Sequence, residues 1–226
     1  LRSYEKTGVL NQLRKKWFES GGWLAQPVNA WSSLAFAAVG IVLIASMSRA
    51  PRSDRSLRVA FGLLMIATGL GSFLYHGPQS AGAGFAHDIS FLTMLWFLII
   101  MNPALPYGVE RRYAWAALMM VAVAASAVLL AWPGSTNLLT GISVAGLITS
   151  DVLVQRIGCV NGRWYAAALL LLAASLVFNL LGRSGAAACD PESILQFHAM
   201  WHALAAVALG AYYVATTVPR NQESRP

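Results

Sequence analysis

Charge is what this chain has least of. Only 11% of its 226 residues are Asp, Glu, Lys or Arg, against 57% hydrophobic ones. That balance excludes an ordinary soluble domain, where about a quarter of residues are charged. No basic, exposed domain is left to bind nucleic acid, so the net charge of +7 asks for another reading. Cysteine is nearly absent too: Cys159 and Cys189 fall in successive connections expected on opposite faces, and no disulfide between them is expected. The first 26 residues hold Arg14, Lys15, Lys16 and Glu19 and no continuous apolar run, so a signal peptide is not expected there. No repeat or low-complexity stretch divides the chain. It reads as one domain over 1–226, with a polar, amphipathic segment at 1–26 and a polar tail at 219–226.

What fills the chain instead is long apolar sequence. Seven stretches stand out, near 27–48, 57–76, 85–101, 113–132, 137–154, 164–181 and 195–218. Each is close to the roughly 20 residues that a helix needs to cross a hydrocarbon layer about 30 Å thick. The expected fold is an all-α, seven-transmembrane helix bundle. An odd number of spans puts the termini on opposite sides. Arg49, Arg52, Arg55, Arg58, Arg111, Arg112, Arg156, Arg163, Arg220 and Arg225 share one side, whereas the opposite loops hold only Arg183. Basic residues gather on the cytoplasmic face, which predicts an outside N-terminus and a cytoplasmic C-terminus. Lys6 and the Arg14-Lys15-Lys16 cluster point the other way. Residues 8–24, with Val9, Leu13, Trp17 and Trp23, read as an interfacial amphipathic helix.

Ionisable groups within spans cost roughly 2.5 kcal/mol or more at a helix centre, so each needs a reason. The chain has four histidines. His198 and His202 lie four residues apart in Phe197-His198-Ala199-Met200-Trp201-His202, on one face of a helix. Ser72 and His76 share a face at the end of span two, and Asp88 opens span three. These ends of spans two, three and seven all lie on the N-terminal side, so Ser72, His76, Asp88, His198 and His202 can converge. Three imidazoles with one open position suit a catalytic zinc that polarises a carbonyl and acidifies a water. Asp88 would take a proton from that water, and Ser72 would bond the substrate carbonyl or orient a ligand.

Blander readings stand beside these. The histidines can serve interhelical hydrogen bonding, and Asp88 can simply start a helix. His87, turned about 100° from Asp88, reads as interfacial or loop-facing. Asp151 and Arg156 read as a structural ion pair, and Gly62, Gly69, Gly71, Gly141 and Gly146 as sites of close helix packing.

The motifs Gln26-Pro27-Val28-Asn29-Ala30-Trp31-Ser32, Gly71-Ser72-Phe73-Leu74-Tyr75-His76, Asp88, and Pro191 followed by His198-Ala199-Met200-Trp201-His202 resemble those of the alkaline ceramidases. That family belongs with the adiponectin receptors in a group of membrane hydrolases, and the resemblance covers residues 19–218. It implies zinc on His76, His198 and His202, with Asp88 and Ser72 assisting cleavage of the amide in a ceramide-like lipid. The products would be a fatty acid and a sphingoid base, and the substrate would enter laterally from the bilayer. Members with calcium use acidic residues near span one. Glu19 and Asn29 would be what is left of that site here, with Gln26 where the family often has glutamate, a poor oxygen set for Ca2+. The short loops and Arg-rich connections resemble a bacterial member, in an inner membrane with its site near the periplasmic side. Three other readings remain open: a zinc hydrolase of another acylated lipid, a receptor or interaction protein with structural zinc, and a transporter.

Overall fold

A computed structural model describes residues 23–49, 52–104, 106–156, 160–182, 186, 193 and 195–217. Glu19, residues 8–22 of the expected interfacial helix, Cys159 and Cys189 lie outside the described residues. Trp23 and Leu24, expected as the end of that helix, are irregular backbone instead. Leu24 is buried and Trp23 packs on Phe73 with ring centroids 6.0 Å apart.

Seven helices are long and apolar enough to cross a membrane, and no strand occurs among the described residues. They are α1 (Pro27–Ala45), α2 (Arg55–His76), α3 (Ala83–Ala104), α4 (Arg111–Ala131), α5 (Thr136–Arg156), α6 (Gly162–Gly182) and α7 (Phe197–Thr217). Punctuation is local. Pro27 begins α1 where a missing N–H costs nothing. Gly82 and Gly108, with φ of 81° and 72°, make the turns before α3 and α4. A 3-10 turn at Pro133–Ser135 leads into α5.

Packing follows an open series. Helix α1 lies between α2 and α7, α2 also packs on α3, and α3 carries α4 and α5, while α6 packs on α7. The core sits among α2, α3 and α7, where Phe61 stacks on Tyr213 at 4.6 Å and meets Phe97 at 5.5 Å. Successive residues Met94, Leu95, Trp96, Phe97 and Leu98 of α3 are all buried, so along this stretch the helix is enclosed on every side. By contrast α4, α5 and α6 turn Met120, Leu130, Ile148 and Leu170 outward, as suits a lipid-facing surface.

Glycines explain the closest approaches. A Cβ on Gly69 would sit 2.8 Å from the Ala37 nitrogen, and one on Gly71 2.7 Å from the Ala86 oxygen, so α2 touches both neighbours through bare backbone. Gly62 is similarly closed in by Ile44, and Gly146 lies in ordinary to tight contact with Ile99. Gly141 is a correction: a side chain there would meet open space, so it mediates no helix contact among the described residues.

The expected Asp151–Arg156 pair is corrected as well. Asp151 Oδ2 accepts from Tyr165 Oη at 2.6 Å and Gln155 Nε2 at 2.7 Å, and Oδ1 accepts from Tyr212 Oη at 3.3 Å. Positions i and i+5 are about 140° apart on a helix, which turns Arg156 away from its supposed partner. The carboxylate instead ties α5 to α6 and α7.

Candidate metal centre

Three helix ends meet at one end of the bundle: the last turn of α2 and the first turns of α3 and α7. Gly71 lets the start of α3 lie against α2. Gly182, the last residue of α6, accepts the backbone of His198 where a Cβ would collide with it. Two backbone hydrogen bonds, Ala25 N to Gly77 O and Gln26 N to His76 O, both 2.9 Å, then fasten the approach to α1 onto the end of α2.

The result is a triangle of imidazoles. Ring centroids are 4.7 Å apart for His198 and His202, and 5.1 Å from His76 to each of them. One nitrogen from each ring lies within 4.8 Å of the others, and His76 and His202 are buried. This group can hold a metal ion. Three imidazole nitrogens are a donor set that transition-metal ions accept.

The hydrogen-bond network assigns the tautomer of one ring and engages Nδ1 of a second. Gln26 Oε1 receives Asn29 Nδ2 at 3.0 Å and lies 2.8 Å from His76 Nδ1. An oxygen already accepting from an amide makes His76 the Nδ1–H form. His202 Nδ1 lies 3.0 Å from Ser32 Oγ and 3.3 Å from Ser33 Oγ. Both hydroxyls also reach the Asn29 carbonyl, at 3.0 and 2.7 Å, and Ser33 Oγ lies 2.8 Å from Ser72 Oγ, so a hydroxyl network holds His202 Nδ1 in either tautomer. Helix α1 and its N-cap residue Gln26 thus hold two of the three rings from behind. Such partners fix ring orientation and raise ligand basicity.

Ser72 enters through this network. Its hydroxyl, 2.8 Å from Ser33 Oγ and buried, supports Ser33 and through it His202. Asp88 lies outside the three-histidine group. Its Oδ1 is 2.8 Å from His87 Nδ1, and its Oδ2 accepts from Thr136 Oγ1 at 2.6 Å. His87 is the link between them, with its ring 4.9 Å from Tyr75 and 6.1 Å from His76. His87 stays outside the three-histidine group, as expected, but its expected separation from Asp88 is corrected: the two side chains meet at 2.8 Å. Asn29, expected near a calcium-type site, uses Nδ2 on Gln26, and its buried Oδ1 has no hydrogen-bond partner among the described residues.

Gln26, Ser33, His87 and Thr136 are the site residues that sequence spacing does not single out. Compared with known proteins, the chain matches no family model, no curated protein and no solved structure.

Proposed function

We propose that this chain is a zinc-dependent membrane hydrolase that cleaves the amide bond of ceramide-like lipids. One observation carries the metal: His76, His198 and His202 present three nitrogens within 4.8 Å of one another, and two of the rings are held at Nδ1 by Gln26 and by Ser32 of α1. Bound there, zinc would supply Lewis acidity, polarising an acyl carbonyl and acidifying a water. The motifs shared with alkaline ceramidases supply the substrate class.

The protein's own residues divide the remaining work. The three histidines hold the ion, while Gln26, Ser32 and Ser33 keep His76 and His202 in register. Ser72 steadies Ser33. Asp88 is the proton carrier of this reading. Its carboxylate takes a proton from the attacking water and returns one to the departing amine, so the C–N bond breaks to give a carboxylic acid and an amine. Among the described residues each carboxylate oxygen has one hydrogen-bond partner, and an oxygen with one such bond keeps a further lone pair. The arginine asymmetry supports an outside N-terminus, with this site near the periplasmic face of a bacterial inner membrane.

A second reading, a seven-helix receptor with a structural zinc, draws on one observation. Asp88 is engaged by His87 and Thr136 rather than by the histidine group. Purified protein in lipid nanodiscs separates the two. The hydrolase reading expects one zinc per chain and release of fatty acid from an N-acyl sphingosine, with both lost in His202→Ala. Stoichiometric zinc without turnover of ceramides, N-acyl amino lipids or phospholipids would leave the receptor.

A further inference from the structure

The Asp88 carboxylate is gripped from two helices. One contact is local, with the neighbouring His87 on α3. The other comes from Thr136, 48 residues away, at the first position of α5. The threonine hydroxyl has one proton and two acceptors in reach: Asp88 Oδ2 at 2.6 Å and the Pro133 carbonyl at 3.4 Å. The shorter bond, to the charged acceptor, takes it. Asp88 needs such a grip because an aspartate has two rotatable side-chain bonds, and the α-helical backbone does not fix the direction of its carboxylate. Its side chain is 21% exposed, so it is mostly covered, and burial alone does not say which way the carboxylate plane turns.

We infer that Thr136 is the positioning residue for Asp88, holding one carboxylate oxygen while the other faces His87. The inference rests on the hydrolase reading, in which Asp88 moves the proton. The 3-10 turn at Pro133–Ser135 places the hydroxyl, so the connection between α4 and α5 helps to define the reacting end of α3. Thr136 touches none of the three metal-holding histidines among its hydrogen bonds. Its loss should therefore leave metal loading alone.

The test is a double-mutant cycle with turnover of an N-acyl sphingosine in detergent micelles, zinc content and the infrared carboxylate band assigned through Asp88→Asn. Thr136→Val keeps the shape and removes the hydroxyl. The expected result is a fall in kcat of about tenfold or more with KM and zinc content unchanged, as for an interaction that acts in the transition state. The Asp88 band should shift, Thr136→Ser should restore both, and Thr136→Val should add nothing in an Asp88→Ala background. An inactive Asp88→Ala protein beside a Thr136→Val protein of wild-type kcat overturns the inference alone. Multiplying effects of the two substitutions also overturn it, since Thr136 would then act elsewhere. Full activity in Asp88→Ala removes the role of Asp88 as proton carrier and the inference with it, while the hydrolase reading stands; a wild-type protein without turnover removes that reading.

Discussion

Gln26 holds His76 twice. Its backbone N–H donates to the His76 carbonyl at 2.9 Å, and its side-chain Oε1 lies 2.8 Å from His76 Nδ1. A single residue thereby fixes both where the ring is anchored and which nitrogen it turns to the centre. Removing the side-chain acceptor with Gln26→Leu should weaken zinc binding about 10- to 100-fold, the usual range for such partners. Gln26→Glu keeps an acceptor and should retain binding. Competition against a chromophoric zinc chelator measures both.

The two serines on His202 share one task. Ser32→Ala or Ser33→Ala alone leaves a hydroxyl near Nδ1, so each should have a smaller effect than the pair. The double substitution should lower zinc affinity at least tenfold, and His202→Ala should abolish stoichiometric binding. Metal analysis after dialysis reads all four proteins.

Two glycines should respond in opposite directions. Gly182→Val drives a side chain into the backbone at His198. It should cost about 1–3 kcal/mol by overpacking and lower zinc content as well. Gly141→Ala enters open space within α5 and should be neutral, or stabilise by up to about 1 kcal/mol through the lower entropy of alanine. Unfolding in mixed micelles checks the signs.

Asp151 predicts stability without metal. Asp151→Asn or Tyr165→Phe should destabilise the bundle by roughly 0.6–2 kcal/mol, the scale of interhelical hydrogen bonds in membranes. Arg156→Ala should do nothing measurable. Zinc content in all three should stay at the wild-type value.

The three-histidine group was legible because its signal is local. His198 and His202 are one helical turn apart, and the alternation of apolar runs puts His76 at the same end of the bundle. The seven helices were legible for the same reason, with ends that differ by a few residues from the apolar limits. Their orientation in the membrane rests on arginine counting. What spacing cannot give is the register of one helix against another. Ser32 and Ser33 meet His202 across nearly the whole chain, and Thr136 meets Asp88 only once α5 is packed on α3. Asp151 shows the opposite failure: opposite charges close in sequence suggested a pair that helical geometry forbids. Gly141 shows that a small residue in an apolar span marks a helix contact only when a neighbour is there to use it.

The contact of Ser32 with His202 joins the first and last of the seven helices across 170 residues. At about 5–20 residues per second, a ribosome needs roughly ten to thirty seconds to make that stretch. During that time the polar face of α1 has no His202 to receive it. The bonds of Ser32 and Ser33 to the Asn29 carbonyl, and of Asn29 to Gln26, lie within α1 and its cap, and can keep these groups satisfied while the helix waits. On the metal reading, an ion is held only once α7 has joined α1 and α2, so a bound ion would report that these three helices have come together.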